Sequence, residues 1–344
     1  MSYVEYKGEK YGVEGDFLDL GLLGINDISE IKGLESLDIK NLELSSNDLT
    51  EIKDLDHLTS LEILNLGSNN IISISGLEEL KNLQILHLIS NQITEIKGLE
   101  NLVNLKELYL RGNQIGEIGG LDTLVALQKL DLSWNKITEL KGLDSLENLE
   151  VFWVAGNQIE KIEGIENLEK LKVLNLAGNQ ITEIKGLDNL IELTELYLND
   201  NMITEVKGLE SLKNLNTFQI TSNRIEEIQG LENCINLQVL NLKDNKIRQI
   251  SGLYPLVKLN QLFLSGNQIS VIKGLETLQV LETLDLGHNE ISKIKGLESL
   301  LNLKGLWLNE NRIDENLLNE LGGLDSGGCA IDPLKFVEYC LVNL

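Results

Sequence analysis

The fold of this chain is decided by a stretch that reads LKELYLRGNQIGEIGGLDTL, residues 105–124. Its frame is Leu-x-x-Leu-x-Leu-x-x-Asn-x-Ile-x-x-Ile-x-Gly-Leu-x-x-Leu, and it recurs every 22 residues over most of the 344-residue chain. The asparagine of the frame stands in step at thirteen positions: Asn47, Asn69, Asn91, Asn113, Asn135, Asn157, Asn179, Asn201, Asn223, Asn245, Asn267, Asn289 and Asn311. A period of this length over almost the whole chain predicts an array of one repeated structural unit.

Within each repeat, the Leu-x-Leu segment reads as a short β-strand whose alternate side chains point inward and outward. Leu108 and Leu110 are expected to point inward, and Tyr109 outward. The amide of the following Asn113 carries donors and an acceptor that can satisfy backbone groups of neighbouring turns. One turn cannot bury its own apolar lining, so the turns must stack, and stability becomes a sum of repeat and nearest-neighbour terms.

The period, the leucines and the asparagine identify the chain as a member of the leucine-rich repeat proteins. That resemblance implies an α/β solenoid, a right-handed superhelix with a parallel concave β-sheet. A 22-residue turn leaves too little chain for a long helix, so the convex side is expected to carry 3₁₀ turns or short extended pieces. Glycine holds one place in eleven turns and is replaced only by Asp54, which indicates a positive φ or crowded backbone there.

The ends of the array are expected to be atypical because they must cover the open core. We predict an N-terminal cap of irregular or hairpin structure at residues 1–17, about fourteen turns at residues 18–324, and a C-terminal capping helix within residues 325–344. The first turn is read with Asn26 in the asparagine column, 21 residues before Asn47. In the last segment, Asp332 is expected to be the helix N-cap and Pro333 the first helical residue.

The formal net charge is −25, but its placement matters more than its size. One predicted convex column carries twelve acids: Glu35, Asp56, Glu78, Glu100, Asp122, Asp144, Glu166, Asp188, Glu210, Glu232, Glu276 and Glu298. Carboxylates there suit exposed backbone amides and keep the protein in solution. The strand side is only mildly negative and has no basic stripe, which disfavours nucleic acid as a partner.

Membrane insertion and export are not indicated by the sequence. No apolar run approaches the ~18 residues of a membrane span, and no cationic-then-apolar leader precedes Tyr3. The chain has three cysteines, and Cys234 occupies a column otherwise held by leucine, so it is expected in the core. We therefore expect a cytoplasmic protein that is monomeric and binds no membrane.

Catalytic and metal sites lack the residues that they need. There are three histidines; His57 falls on the convex side, and His87 and His288 are nine turns apart. No phosphate-binding loop, nucleophile elbow or Cys-x-x-Cys motif is present. The sequence thus predicts no catalytic residues, no metal and no cofactor, and the protein is expected not to be an enzyme.

The outward central column of the strands is where the sequence departs from plain repetition. Five of the fifteen aromatic residues fall among its thirteen places. Exposed Trp and Tyr among charged residues are typical interface anchors, although aromatic residues also favour strands without any partner. The predicted protein-binding residues are Tyr109, Arg111, Asp131, Trp134, Trp153, Tyr197, Phe263, Asp285 and Trp307, with Lys129 and Glu195 flanking them.

Two segments, Glu107–Leu110 and Gly305–Leu308, carry a further resemblance. With the Ile-x-x-Ile-x-Gly-Leu-Glu-x-Leu frame, they are similar to the leucine-rich-repeat regulatory subunit of protein phosphatase 1, which presents acids and aromatics from concave strands. The terminal segments look more like those of uncharacterised archaeal and bacterial repeat proteins. Bacterial surface internalins share the period but carry a signal peptide and an immunoglobulin-like appendage, which this sequence lacks.

These resemblances imply a scaffold that binds a folded protein on its concave face, such as a phosphatase or a small GTPase. The alternatives are an extracellular adhesion or recognition module, and a structural array without a dedicated ligand.

Overall fold

The structure, a computed structural model, describes residues 2–343. These residues group into two compact units, one that ends at Leu171 and one that begins at Lys172, except that Glu160–Ile162 belongs with the second. The first unit opens with an antiparallel hairpin of β1 (Tyr3–Tyr6) and β2 (Glu9–Gly12). Val4 and Tyr6 of this hairpin are buried. Of the two forms that the sequence left open, irregular or hairpin, the segment before the repeats has a hairpin.

The repeats of the first unit contribute seven parallel strands. They are β3 (Phe17–Asp19), β4 (Asn41–Glu43), β5 (Ile63–Asn65), β6 (Ile85–His87), β7 (Glu107–Tyr109), β8 (Lys129–Asp131) and β9 (Val151–Trp153). From β4 onward the register advances by one repeat, so that Leu108 pairs with Leu130. The middle residue of each strand is buried, and its neighbours are partly exposed in β4–β9 and exposed in β3. This alternation confirms the predicted inward and outward positions.

The first turn differs from the prediction. Leu18 in β3 pairs with Leu42 in β4, so this turn is two residues longer than the others. The position that aligns with Asn47 is therefore Leu23, and the assignment of Asn26 to the asparagine column was wrong. Asn26 is exposed, and Asn47 itself serves the first turn by accepting the Leu23 and Ile25 N–H groups at 3.1 and 2.9 Å.

The asparagine column is buried from Asn47 to Asn289, and its last member, Asn311, is half-buried. Asn113 Nδ2 donates to the carbonyls of Leu88 and Leu110, both at 2.9 Å, and its Oδ1 accepts the N–H of Ile93 at 3.0 Å. Each such amide joins its own turn to the preceding one. The column therefore satisfies buried backbone groups between neighbouring turns, as the sequence predicted.

The backbone is crowded at the glycine column, as the regular recurrence of glycine in the sequence indicated. Gly120 has a φ of 66°, and a Cβ on it would lie 2.4 Å from the carbonyl oxygen of Ile96 in the turn before. Asp54, the exception, also has a positive φ of 59°. Two residues after this column, several of the convex glutamates accept the glycine N–H, as Glu100 does from Gly98 at 3.2 Å. These glutamates thus cap backbone amides.

The convex side is built from single tight turns. In the repeat that begins at Leu105, the Leu124 N–H donates to Leu121 O and the Leu127 N–H donates to Leu124 O, both at 3.0 Å. Continuous 3₁₀ helices occur at Ile28–Glu30 and Leu34–Ser36. These hydrogen bonds between residues three apart confirm the predicted 3₁₀ character of the convex turns.

The second unit also contributes seven parallel strands. They are β10 (Val173–Asn175), β11 (Glu195–Tyr197), β12 (Thr217–Gln219), β13 (Val239–Asn241), β14 (Gln261–Phe263), β15 (Thr283–Asp285) and β16 (Gly305–Trp307). Cys234 lies in its core, where burial raises the pKa of the thiol to about 12. Each unit is thus a stack of leucine-rich repeat turns on a parallel sheet, which confirms the predicted solenoid class.

The C-terminal end of the second unit holds two helices, α1 (Glu315–Glu320) and α2 (Pro333–Val342). The sequence predicted α2 and its first residue, Pro333, but not α1. Asp332 is the N-cap by position, although its side chain accepts no hydrogen bond there. Between the helices, residues 328–330, which we name the strap, run antiparallel to β16: Leu308 N–H donates to Gly328 O, and Ala330 N–H to Leu306 O.

Candidate functional site

Three adjacent strands of the first unit bring Tyr109, Asp131 and Trp153 side by side. The strand register pairs Tyr109 with Asp131, and Asp131 with Trp153. All three side chains are half-buried on the outward face of the sheet. They form one continuous ridge, as predicted, and with Arg111 and Trp134 we name them the first cluster.

A hydrogen-bonded network holds Tyr109 rigid. Its hydroxyl donates to Glu107 Oε2 at 2.7 Å, and its ring stacks on His87 with centroids 4.6 Å apart and an interplanar angle of 5°. Lys129 completes the network by pairing with Glu107 Oε1 at 3.0 Å. Burial and the bond to Glu107 raise the pKa of Tyr109, and burial lowers the pKa of His87. The network therefore favours the neutral forms of both stacked rings.

Trp134 is the most unusual residue of the first cluster. It follows strand β8 with a φ of 58° and is 61% exposed. The residue before the column asparagine has a positive φ in the other turns as well, where it is Ser, Gly, Asp, His or Glu, as at Ser90 and Gly112. A left-handed backbone costs a residue with a Cβ about 1–2 kcal/mol. A bulky, exposed tryptophan in this place is not explained by folding.

The indole of Trp134 lies flat on the next turn. A Cβ on Gly156 would meet Trp134 Cδ2 at 2.9 Å, Cε3 at 3.1 Å and Cε2 at 3.3 Å. Cδ2 and Cε2 are the atoms shared by the two rings, and a point this close to both lies over the ring face, not at its edge. Gly156 thus provides the flat seat for one face, and the high exposure leaves the other face open to solvent.

The charged members of the first cluster are incompletely partnered. Asp131 Oδ1 accepts the N–H of Ser133 at 2.9 Å, but within residues 2–343 its Oδ2 accepts no hydrogen bond. Arg111 is exposed, and its guanidinium makes no hydrogen bond or ion pair with any described residue. One anionic and one cationic group therefore face solvent beside the aromatic ridge.

In the second unit, Tyr197 repeats part of the arrangement at Tyr109. Its hydroxyl donates to Glu195 Oε2 at 2.6 Å. Burial and this bond raise the pKa of Tyr197 to about 12. The strand register sets it between Asn175 and Gln219, so its neighbours in the central column are amides.

Phe263, Asp285 and Trp307 occupy three adjacent strands of the second unit, and we name them the second cluster. Asp285 is only 7% exposed and pairs with Lys243 Nζ at 2.5 Å. The same ammonium lies 5.1 Å from the centre of the Phe263 ring. Trp307 folds back over Gly305, where a Cβ would lie 2.6 Å from Cζ3 of the indole. The second cluster is thus satisfied by internal contacts to a greater degree than the first.

The sequence placed the central column correctly but could not show these internal contacts. Two features of the sequence bear on them. Glycine stands at Gly156, one repeat after Trp134, and at Gly305, two residues before Trp307, where other strands begin with a larger residue. Lys243 stands one strand before Phe263 and two before Asp285, within reach of a long side chain. No prediction had assigned a role to Lys243, Gly156 or Gly305.

Other kinds of site find little support in the described part of the chain. Among residues 2–343, no group of three or more His, Cys, Asp or Glu side chains could hold a metal ion. No helix within that range is long and apolar enough to span a bilayer.

Comparison with known families agrees with the repeat pattern. A model of two-copy leucine-rich repeats matches six overlapping windows from residues 81–123 to 191–233. Further leucine-rich repeat models match residues 213–269, and residues 57–81 and 277–300. No curated protein matches the chain.

Several solved structures are similar over most of their length. An internalin, InlF of Listeria monocytogenes, is 31% identical with a TM-score of 0.77, and the match covers 85% of this chain and 86% of the internalin. A leucine-rich repeat protein of Leptospira interrogans is 27% identical with a TM-score of 0.75, covering 88% and 92%.

A more distant match is the ectodomain of the Arabidopsis thaliana receptor kinase GASSHO1/SCHENGEN3, in complex with CASPARIAN STRIP INTEGRITY FACTOR 2. It is 23% identical with a TM-score of 0.64, covering 81% of this chain and 36% of the ectodomain chain. At this identity the similarity concerns the fold alone.

Proposed function

Because this chain belongs to the leucine-rich repeat family and its repeats are similar to those of an internalin, we propose that it is a non-enzymatic protein-binding module. The partner is a folded protein that contacts the outward face of the strands. The first cluster is the main contact, and Tyr197 and the second cluster are further contacts. The protein acts as a monomer and needs no cofactor.

The observation that carries this proposal is Trp134. The left-handed backbone of this position is common to the turns, but an indole that is 61% exposed stands there only in this one, where small or polar residues serve the other turns from Ser46 to Glu310. The neighbouring Trp153 and Tyr109 lie on the same face, and large aromatic side chains dominate the binding energy of protein interfaces. A large aromatic ring that is open to solvent in the free protein is expected where a binding partner covers it.

The test is affinity capture from the native lysate, followed by binding measurements on the captured partner. Replacing Trp134 and Trp153 together by alanine removes the two largest contact surfaces of the first cluster. We expect the dissociation constant to rise more than tenfold, which corresponds to about 1.4 kcal/mol.

The matched control replaces two convex acids of the same unit, Glu100 and Asp122, by alanine. Both are exposed, and their loss should leave the affinity within a factor of about two, because charges outside an interface contribute little. Equal losses from the two double variants, or none from the tryptophan pair, would disprove binding at the strand face.

We make separate proposals for the compartment and for the class of partner. We propose the cytoplasm, on the three thiols that form no disulfide among the described residues, and a phosphatase or a small GTPase as partner class. The second candidate, an extracellular recognition module, is favoured by the 31% identity to an internalin. Fractionation of the source cells distinguishes them: recovery in the surface fraction would exclude a cytosolic scaffold.

A further inference from the structure

We propose that Trp134 and Asp131 form a receptor for the guanidinium group of an arginine on the partner. The guanidinium stacks on the open face of the Trp134 indole and pairs with the free oxygen of Asp131. This inference rests on the proposed protein-binding function and specifies the chemistry that the partner must present at the first cluster.

The stacking surface is built into the repeat. Because Gly156 has no side chain, nothing stands between its backbone and the indole. The backbone N–H of Trp134 donates to the backbone oxygen of Ala155 at 2.7 Å, which joins this turn to the next one. The ring thus lies against Gly156 in the free protein, with its outer face in solvent. A fixed aromatic face attracts a planar cation through the negative charge above the ring.

The carboxylate of Asp131 is oriented toward the same turn. Its Oδ1 bonds to the N–H of Ser133, the residue directly before Trp134, at 2.9 Å. That bond draws the side chain from the strand toward the turn that carries the indole and leaves Oδ2 without a partner among residues 2–343. A carboxylate oxygen that is open to solvent, three residues before a solvent-facing indole, offers the two interactions that arginine prefers, which are hydrogen bonding in its plane and stacking on its face.

Several chemical groups stack on tryptophan, and the negative charges of this chain favour a cationic one. A nucleobase brings phosphates, which a chain of net charge −25 repels. A phenylalanine ring has no donor for the free oxygen of Asp131, and a tyrosine brings one neutral hydroxyl, whereas a guanidinium brings several N–H donors and a positive charge. Lysine carries the charge but has no planar face. The nearby guanidinium of Arg111 is exposed and unpaired, and it can contact an acid of the partner beside the inserted arginine.

The test uses three small probes on the full chain: the acetylated amides of arginine, lysine and citrulline. Citrulline has the shape of arginine without its charge. The chain has three tryptophans, so indole N–H signals in a proton–nitrogen spectrum are assigned by single Trp→Phe variants. We expect the arginine probe to shift the Trp134 signal in a saturable way, with little effect on Trp307, and citrulline to leave it unchanged.

Asp131→Asn is the variant that separates charge from structure. Asn65 and Asn175 hold the equivalent places in other turns and accept the same backbone bond, from Gly67 and Ala177, both at 3.0 Å. The variant therefore keeps the turn while it removes the charge. We expect the arginine probe to bind about three- to tenfold more weakly, whereas Glu100→Gln on the convex side leaves its affinity unchanged.

The inference is overturned if citrulline or lysine binds as well as arginine, or if Asp131→Asn binds the arginine probe as well as the unchanged chain. The protein-binding function has a separate test. If a captured partner depends on Trp134 and Trp153 but none of its arginines matters, the function stands and the arginine receptor fails. If the partner ignores the tryptophans, the function itself fails.

Discussion

At the scale of single residues, asparagine recurs in two columns, one buried and one on the convex side, and the two contribute differently to stability. The buried amides, such as Asn113, bond to backbone groups of their own turn and of the preceding one. A second set of asparagines on the convex side, such as Asn104, donates to one carbonyl of the preceding turn while remaining exposed. Water can replace the second kind of bond but cannot reach the first.

This difference predicts opposite outcomes for one substitution made at two sites. Asn113→Ala leaves the N–H of Ile93 without a partner inside the protein. It also removes one of the hydrogen bonds to the carbonyls of Leu88 and Leu110, which keep those from Asn91 and Asn135. We expect the free energy of unfolding to fall by about 1–3 kcal/mol. Asn104→Ala should change it by less than about 0.5 kcal/mol. Urea unfolding followed by circular dichroism measures both, and equal losses would show that the buried column is not what joins the turns.

At the scale of elements, the last strand of the second unit needs protection. A bare edge strand exposes backbone groups that pair readily with other chains. The strap, residues 328–330, covers β16 by bonding to Leu306 and Leu308 at 2.7 and 3.1 Å. Its place depends on Gly328, which has a φ of 80° and lies against Asn309, with no room for a Cβ.

Substitution of Gly328 by alanine should therefore loosen the strap. The new Cβ would lie 2.3 Å from Asn309 Cβ in a left-handed conformation, at a cost of about 1–2 kcal/mol. We expect hydrogen exchange at the Ala330 and Leu308 amides to become roughly tenfold faster. Gly327→Ala is the control, because its Cβ would make only an ordinary contact of 3.4 Å with Asp325. Unchanged protection in Gly328→Ala would mean that the strap does not depend on this glycine.

The elements also show how far sequence reasoning reaches. The repeat pattern predicted strands β4–β16, the inward leucines and the crowded glycines, because the same residues recur in every turn. The prediction for the first turn, which put Asn26 in the asparagine column, was wrong. The length of that turn is set by the pairing of Leu18 with Leu42, and the 22-residue period gives no information about it. Helix α1 and the strap occur once and have no second copy for comparison. The face of the candidate site was predictable, but the seat of Trp134 on Gly156 and the pairing of Lys243 with Asp285 depend on packing between turns.

At the scale of the whole molecule, stability is built from contacts between neighbouring turns. Hydrogen bonds of the asparagine column reach one turn back, as from Asn91 to Leu66 at 3.0 Å. The glycine column makes its close approach to the preceding turn as well. Stability in such an array is a sum of local terms, so one whole turn is expected to be dispensable, whereas part of a turn is not.

The deletion of residues 75–96 tests this view within the first unit. It removes 22 residues and joins Ile74 to Lys97, so Gly98 takes the place of Gly76 and Asn113 meets Leu66 where it had met Leu88. We expect a folded protein with the same type of circular dichroism spectrum. Its free energy of unfolding should be lower by about 1–3 kcal/mol, the share of one repeat.

The matched control deletes residues 75–85, half a turn, which places Asn91 where the frame requires the convex side. That chain must bury an amide without partners and expose leucines along several turns, so we expect aggregation or loss of cooperative unfolding. The comparison shows whether the register of the repeat or the number of deleted residues determines the loss of stability. If register determines it, the deletion of fewer residues should destabilise the protein more. If the half-turn deletion folds as well as the whole-turn deletion, the turns are not bound to their neighbours by the asparagine and glycine columns, and the stacking argument fails.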